Sequence, residues 1–233
     1  MIKQREEIVK DLKELADEQY RLFHSGLCPE TDNIMGVRVP KLRNYAKELA
    51  KESWEENYAN IGNEYYEEIM LKGMILGLSN TEVEKTIKYL REFIPSINNW
   101  AVCDTTCAGL KFVKKNPDIV FEFLKEYLNS DKEFEIRFAI VMLLDYYITD
   151  KYIDEVIQIL DNINHTEFYY VKMAVAWTIS VIYIKYPEKG MEYLKNNNLD
   201  DDTYNKALQK IIESNRISKR EKNKIRKMKR KNK

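Results

Sequence analysis

Glycine and proline are scarce. The 233-residue chain has seven Gly and five Pro, less than half the combined share of roughly 12% that is usual in proteins. Architectures of many short strands need those residues at their turns, so a sandwich or barrel is excluded. Cysteine is equally thin. Three residues, an odd number in a chain this long, make no disulfide framework, and a reducing cytoplasm is the expected compartment. Long apolar runs are missing too. The longest uncharged apolar stretch, Met173 to Ile184, has 12 residues, short of the ~20 that span a bilayer. The charged start, Met1 to Lys13, does not read as a signal peptide. No Gly-rich phosphate loop is present, and neither of the two histidines, His24 and His165, lies in a nucleophile motif.

What is present is apolar and charged residues in alternating stripes. Hydrophobic residues make up 44% of the chain and charged residues 33%, enough for a core with many solvated helix faces and too apolar for disorder. Net charge is zero, but it is unevenly placed. Arg216 to Lys233 holds 11 Lys or Arg and one acid, Glu221, which leaves the first 215 residues at a net of −10. A basic tail points to a polyanion partner; a solubilising or frayed terminus is the plainer alternative.

Periodicity predicts helix after helix. Met1 to Phe23 carries Ile8, Leu12, Leu15 and Leu22 at helical spacing, and Ser25 to Val39 is a connection. Pro40 fits the first turn of a helix to about Lys51. Asn63 can cap a helix ending near Leu78, and Thr81-x-x-Glu84 has the capping-box pattern for one ending before Pro95. Helices are expected over Asn99–Lys115, Ser130–Tyr147, Asp150–Ile163 and Thr166–Tyr186, the last closed by Pro187. Another runs from Asp201 to about Asn215, and Ser218 opens a final basic one. The runs Phe138–Leu144 and Met173–Ile184 are apolar all round, which marks helices buried between neighbours. About ten helices with short links make either a bundle or a stack of antiparallel helix pairs, and the spacing of the polar residues below favours the stack. The whole chain, 1–233, is expected to form one domain with a basic helix at about 216–233. The 16 tyrosines are expected mostly as packing residues with the hydroxyl at the surface.

One cluster carries chemistry: Asn98-Asn99-Trp100-Ala101-Val102-Cys103-Asp104. Trp100 and Asp104 are four apart and share a helix face. An indole beside a carboxylate stabilises a cation, through the ring quadrupole and through charge. The plainer alternative is a core Trp and an Asp that caps a helix start. Arg137 follows 33 residues after Asp104, in an apolar helix, and Trp177 follows 40 after that. Both intervals approximate one helix-pair repeat, so these residues can line one face of a solenoid. An Arg there holds a phosphate bidentately; alternatively Arg137 pairs with Glu133, Glu135 or Asp145, and Trp177 is plain core. Cys103 and Cys107 are four apart, as are His24 and Cys28, but Gly26 and Pro29 are expected to break the helix between the latter. Buried thiols are the expected outcome, with no metal and no cofactor.

The run Gly36-Val37-Arg38-Val39-Pro40-Lys41-Leu42-Arg43, then Trp100-x-x-x-Asp104, Arg137, Trp177 and Asn205-Lys206-Ala207-Leu208-Gln209-Lys210, resembles the AlkD-like DNA alkylation repair proteins, the HEAT-like repeat DNA glycosylases. The resemblance covers roughly residues 5 to 230. It implies an all-α, right-handed HEAT-like solenoid with duplex DNA in its concave groove. It also implies excision of cationic N3- or N7-alkylated purines without flipping the base into a pocket. Asp104, Trp100 and Trp177 take the family's catalytic positions. Arg137 takes its phosphate-holding position, with Arg38, Arg43, Lys206, Lys210 and Arg216 as further DNA contacts. The implied partner is duplex DNA with alkylated bases, bound by a monomer away from any membrane. The acidic body keeps a second function in view: a non-catalytic helical-repeat module that binds DNA or protein.

Overall fold

Every regular element in residues 2–231, the part that the computed structural model describes, is helical. The chain divides into two compact units, Met1–Phe123 and Leu124–Lys233. The first holds α1 (Arg5–Leu15), α2 (Glu18–Leu27), α3 (Val39–Lys51), α4 (Trp54–Asn60), α5 (Tyr66–Leu78), α6 (Val83–Phe93) and α7 (Trp100–Gly109), with 3-10 turns at Ile94–Ser96 and Lys111–Lys115. α8 (Pro117–Lys125) crosses the division. The second unit holds α9 (Glu133–Tyr146), α10 (Ile153–Asp161), α11 (Tyr169–Lys185), α12 (Pro187–Lys195), α13 (Asp201–Glu213) and α14 (Lys219–Arg226). No helix among the described residues is long and apolar enough to cross a membrane.

Alternate helices pack on one another within each unit. In the first, α5 lies between α3 and α7, and in the second α11 lies between α9 and α13. Sequence dictates which helices sit in the middle. α5 buries Tyr66, Ile69, Met70, Leu71, Met74, Ile75 and Leu76, residues from all round its circumference. α9 and α11 do the same across the two runs that are apolar on every face. The flanking α6 buries one stripe, Val83, Thr86, Ile87, Leu90 and Phe93, and leaves its charges in water.

Several boundaries differ from the sequence-based expectation, for tertiary reasons at Asp17 and for local capping reasons elsewhere. Where one helix is expected over Met1 to Phe23, of which Met1 lies outside the described residues, the described residues form two, α1 and α2, because Asp17 interrupts. Its side chain accepts from Tyr20 N at 3.0 Å to cap α2, and its backbone N–H is bonded to Gly36 O at 3.0 Å. Tyr65, not Asn63, precedes α5, and Asn63 instead accepts from Lys72 Nζ at 2.8 Å. Asp200, not Asp201, caps α13, accepting from Thr203 N at 2.9 Å. The short helices α4 and α12 were not expected. Several tyrosines, including Tyr45, Tyr66, Tyr147 and Tyr193, are buried outright.

The basic terminal helix is shorter than 216–233. Ser218 opens it with a reciprocal capping box to Glu221, and it ends at Arg226; residues 232–233 lie outside the described part. Ile225 is its one buried side chain among the described residues. One apolar anchor among like charges does not sustain a longer helix. The segment is nevertheless docked. The Arg230 guanidinium donates to Leu199 O at 2.7 Å and Asn197 Oδ1 at 3.0 Å, and lies 3.9 Å from the Tyr204 ring centroid. The Asn205 side chain holds the Arg230 backbone at both its N–H and its carbonyl, each at 2.9 Å. The frayed-terminus alternative therefore fails as far as Arg230.

Two glycines are set by backbone demands. Gly36 has φ +94°, and a Cβ there would meet Arg21 Cβ and Asp17 O at 2.6 Å each. The buried Glu67 carboxylate collects the N–H groups of Met35, Gly36 and Val37 at 2.7–3.0 Å, which fixes the connection before α3. At Gly77 a Cβ would stand 2.6 Å from Gly109 O, so α5 and α7 approach closely there.

Candidate nucleic-acid interface

Trp100 is the first residue of α7. Asn99 caps the helix, its side chain accepting from Val102 N at 2.9 Å. This removes the alternative in which Asp104 caps a helix start: Asp104 lies in the second turn, one turn beyond Trp100 on the same stripe. Both side chains are half-buried. The Trp100 indole N–H donates to the carbonyl of Leu27, at the end of α2, at 3.1 Å. That bond fixes the plane of a ring which keeps part of its surface open. The opposite side of α7 is core, with Val102, Cys103, Thr106 and Cys107 buried.

Beneath the Leu27 carbonyl, His24 and Cys28 form a buried pair, Nε2 to Sγ 3.8 Å. The expectation that Gly26 and Pro29 would separate them is overturned: α2 runs through Gly26, and the Cys28 N–H bonds to His24 O at 3.1 Å. Burial lowers the His24 pKa and raises that of Cys28. The pair is therefore a neutral imidazole on a thiol, stacked on Tyr20. Cys28, Cys103 and Cys107 are all buried free thiols.

The two arginines called from the first motif part company. Arg38 is committed to Asp17, with Nε at 3.0 Å and Nη2 at 2.9 Å from Oδ2, and it lies over the Tyr20 ring. Asp17 has its pKa held below the ordinary carboxylate value, first by the Tyr20 backbone N–H and then by this guanidinium. Arg43 is exposed and has no acidic partner among the described residues.

In the second unit, Arg137 is buried at 5% exposure. Its Nη1 donates to Tyr170 O at 2.9 Å, and its guanidinium lies 5.8 Å from the Tyr170 ring centroid. Glu133, one turn before Arg137 on α9, accepts from Tyr170 N at 2.6 Å. The two α9 side chains thus grip one peptide residue at the start of α11. Glu135 pairs instead with Lys132 and Ser130. Trp177 is half-buried on α11, where Ala174, Val175, Ala176, Thr178 and Ile179 around it are fully buried, so it is not plain core. On α13, Lys206 and Lys210 are half-buried. The Lys210 pKa is lowered by burial first, with the positive charges of Arg137 and Lys206 adding to the effect. The Glu213 carboxylate acts in the opposite sense on Lys210 and outweighs either cation. Arg216 is exposed in the turn after α13, its N–H bonded to Ser214 Oγ at 3.2 Å.

Sequence reasoning missed Tyr170, Arg230 and the Trp100–Leu27 contact. None has a local signal, because each partner lies 25 or more residues away.

Each unit thus presents polar side chains of its own: an indole beside a carboxylate on α7, and two half-buried lysines on α13. A family model described as DNA alkylation repair enzyme matches residues 8–214. No curated protein matches the chain.

Proposed function

The chain belongs to the family of DNA alkylation repair enzymes, and from that premise we propose that it is a DNA glycosylase for cationic N3- and N7-alkylated purines in duplex DNA. In this reading the helix pairs form a right-handed HEAT-like solenoid, and one monomer works on one duplex. Alkylation at N3 or N7 gives the base a positive charge, which makes it a good leaving group. The remaining barrier is positive charge developing at C1′ of the sugar. The Asp104 carboxylate stabilises that charge or positions the attacking water, and the Trp100 ring adds its quadrupole. Trp177 supplies a second aromatic surface. Lys206 and Lys210, with Arg137 behind them, hold backbone phosphates. Arg43 and Arg216 add to the grip. Arg38, already paired with Asp17, serves mainly to brace the start of α3.

The observation that carries this reading is the fixed indole at the head of α7. Its N–H is spent on the Leu27 carbonyl, so the ring is oriented before substrate arrives, with the carboxylate one turn away. Groups ordered in advance stabilise a transition state without reorganising during the reaction. No pocket for an extruded base is required, because the charge to be stabilised lies on the sugar rather than on the purine.

The test is charge dependence of the lesion. At excess enzyme, a duplex with N7-methylguanine, which is cationic, is expected to release base, and a duplex with O6-methylguanine, which is neutral, is not. Binding of both duplexes with release from neither would favour the non-catalytic module instead.

A further inference from the structure

A cationic feature lies in the first unit, where the C-terminal ends of α5 and α7 lie beside the middle of α3. A pocket of about 410 Å³ is lined by Arg43, Lys47, Met74, Gly77, Leu78, Thr105, Ala108, Gly109 and Lys111. We propose that it is a phosphate site, which holds a backbone phosphate of the strand bound at Asp104; this rests on the DNA reading above.

Charge is the first argument. Arg43, Lys47 and Lys111 line the pocket, no acidic residue does, and none of the three cations has an acidic partner among the described residues. Some cations of the unit are neutralised within the protein. Arg5, Arg21, Arg38 and Lys85 are each paired with a carboxylate. Four other clefts of the protein each include at least one carboxylate among their lining residues. Three neighbouring like charges without a counter-ion cost free energy in the empty protein, and an oxyanion relieves that cost.

Shape is the second. Arg43 and Lys47 are one turn apart on α3 and face the same way. The close approach of Gly77 to Gly109 O leaves the floor without side chains at that point. Thr105 brings a hydroxyl, and Met74 and Leu78 bring apolar surface. A phosphodiester presents oxyanions beside an apolar sugar face, which matches this combination better than a free ion does.

Register is the third. Ala108 continues the stripe of Trp100 and Asp104 by one more turn, about 6 Å along the helix axis. That is close to two steps of a DNA strand at 3.4 Å each. With α7 aligned to the duplex axis in the proposed complex, the pocket faces a phosphate within about two nucleotides of the lesion and counters the repulsion between Asp104 and the backbone.

The experiment measures binding of a duplex carrying one N7-methylguanine over a range of salt, for wild type and Lys47→Gln/Lys111→Gln. Both lysines are exposed, so the variant folds; Lys47→Arg/Lys111→Arg is the charge-conserving control. One phosphate lost should lower the slope of log affinity against log salt by about 0.9, which is roughly fivefold in affinity at 0.15 M salt. Replacing phosphates near the lesion one at a time by neutral methylphosphonate should locate the partner. At one position within two nucleotides, wild type weakens by about that factor and the Gln variant does not. Equal salt slopes for the two proteins overturn the site. So does an identical methylphosphonate profile, even if inorganic phosphate alone protects the wild type against melting. Excision measured on the same duplex separates the two ideas. Excision with unchanged slopes removes the pocket and keeps the glycosylase; a lost slope without excision does the reverse.

Discussion

Replacing Arg230 by Ala tests whether the basic terminal segment is part of the folded second unit. The guanidinium makes a short bond to Leu199 O at 2.7 Å and another to Asn197 Oδ1 at 3.0 Å. A hydrogen bond from a charged donor contributes about 1.5–3 kcal/mol. The stacking at 3.9 Å on Tyr204 adds about 0.5–1 kcal/mol. Asp201, 3.4 Å away and, like Arg230, in partial contact with water, adds less than about 1 kcal/mol. Ordering the long side chain costs about 2 kcal/mol. The net loss on truncation is therefore ~2 kcal/mol, a fall in Tm of about 4–8 °C for a chain of this size. Thermal melting followed by circular dichroism reads this directly. Arg230→Lys should recover less than half of the loss, because an ammonium has no planar fork to span both acceptors. A change below about 0.5 kcal/mol for Arg230→Ala would mean that the segment is loosely attached and its contacts carry no stability.

Gly77→Ala places a Cβ 2.6 Å from the Gly109 carbonyl, so α5 and α7 must part; a loss of about 1–3 kcal/mol in urea unfolding is expected, and an unchanged midpoint would refute the close approach. Asn99→Ala removes the cap of α7 and should cost ~1 kcal/mol, measured the same way; a neutral outcome would show that the cap does not hold Trp100 in place. Lys210 has its pKa lowered by burial, so its positive charge is present below that value and lost as pH rises through it, earlier than for an ordinary lysine. In wild type, duplex affinity should therefore begin to decline, as pH rises, before an ordinary lysine loses its charge, and in Lys210→Arg it should stay level. Identical profiles for the two proteins would show that Lys210 does not touch DNA.

The helical class was legible because the chain has few glycines and prolines and its apolar residues fall at helical spacing. The central helices α5, α9 and α11 were legible in part, because the runs at Phe138–Leu144 and Met173–Ile184 have no polar face. Boundaries were less so. The break between α1 and α2 depends on Asp17 meeting Gly36, a contact that no local pattern encodes, and seven-residue α4 is too short for a periodic signal. At the candidate site, spacing alone placed Trp100 and Asp104 on one face. It did not reveal that Leu27, 73 residues earlier, orients the ring. The same limit applies to the cations. Arg38 and Arg43 look alike in sequence, yet one is neutralised by Asp17 and the other opens onto a pocket. Arg137 reads from its sequence neighbours as a phosphate ligand or an ion-pair partner, and its hydrogen bond to the Tyr170 carbonyl is one that no local pattern encodes.

The central claim is that the Asp104 carboxylate stabilises positive charge on the sugar, and Asp104→Asn tests it most directly. The substitution keeps the shape and removes the charge. Single-turnover release of N7-methylguanine should fall by roughly a hundredfold or more, the scale of losing one preorganised electrostatic group worth about 3 kcal/mol. Affinity for undamaged duplex should stay the same or rise slightly, since a negative charge near phosphates has gone. Melting of the half-buried variant should shift by less than about 1 kcal/mol. Equal release rates for the two proteins, with DNA binding intact, would contradict the account.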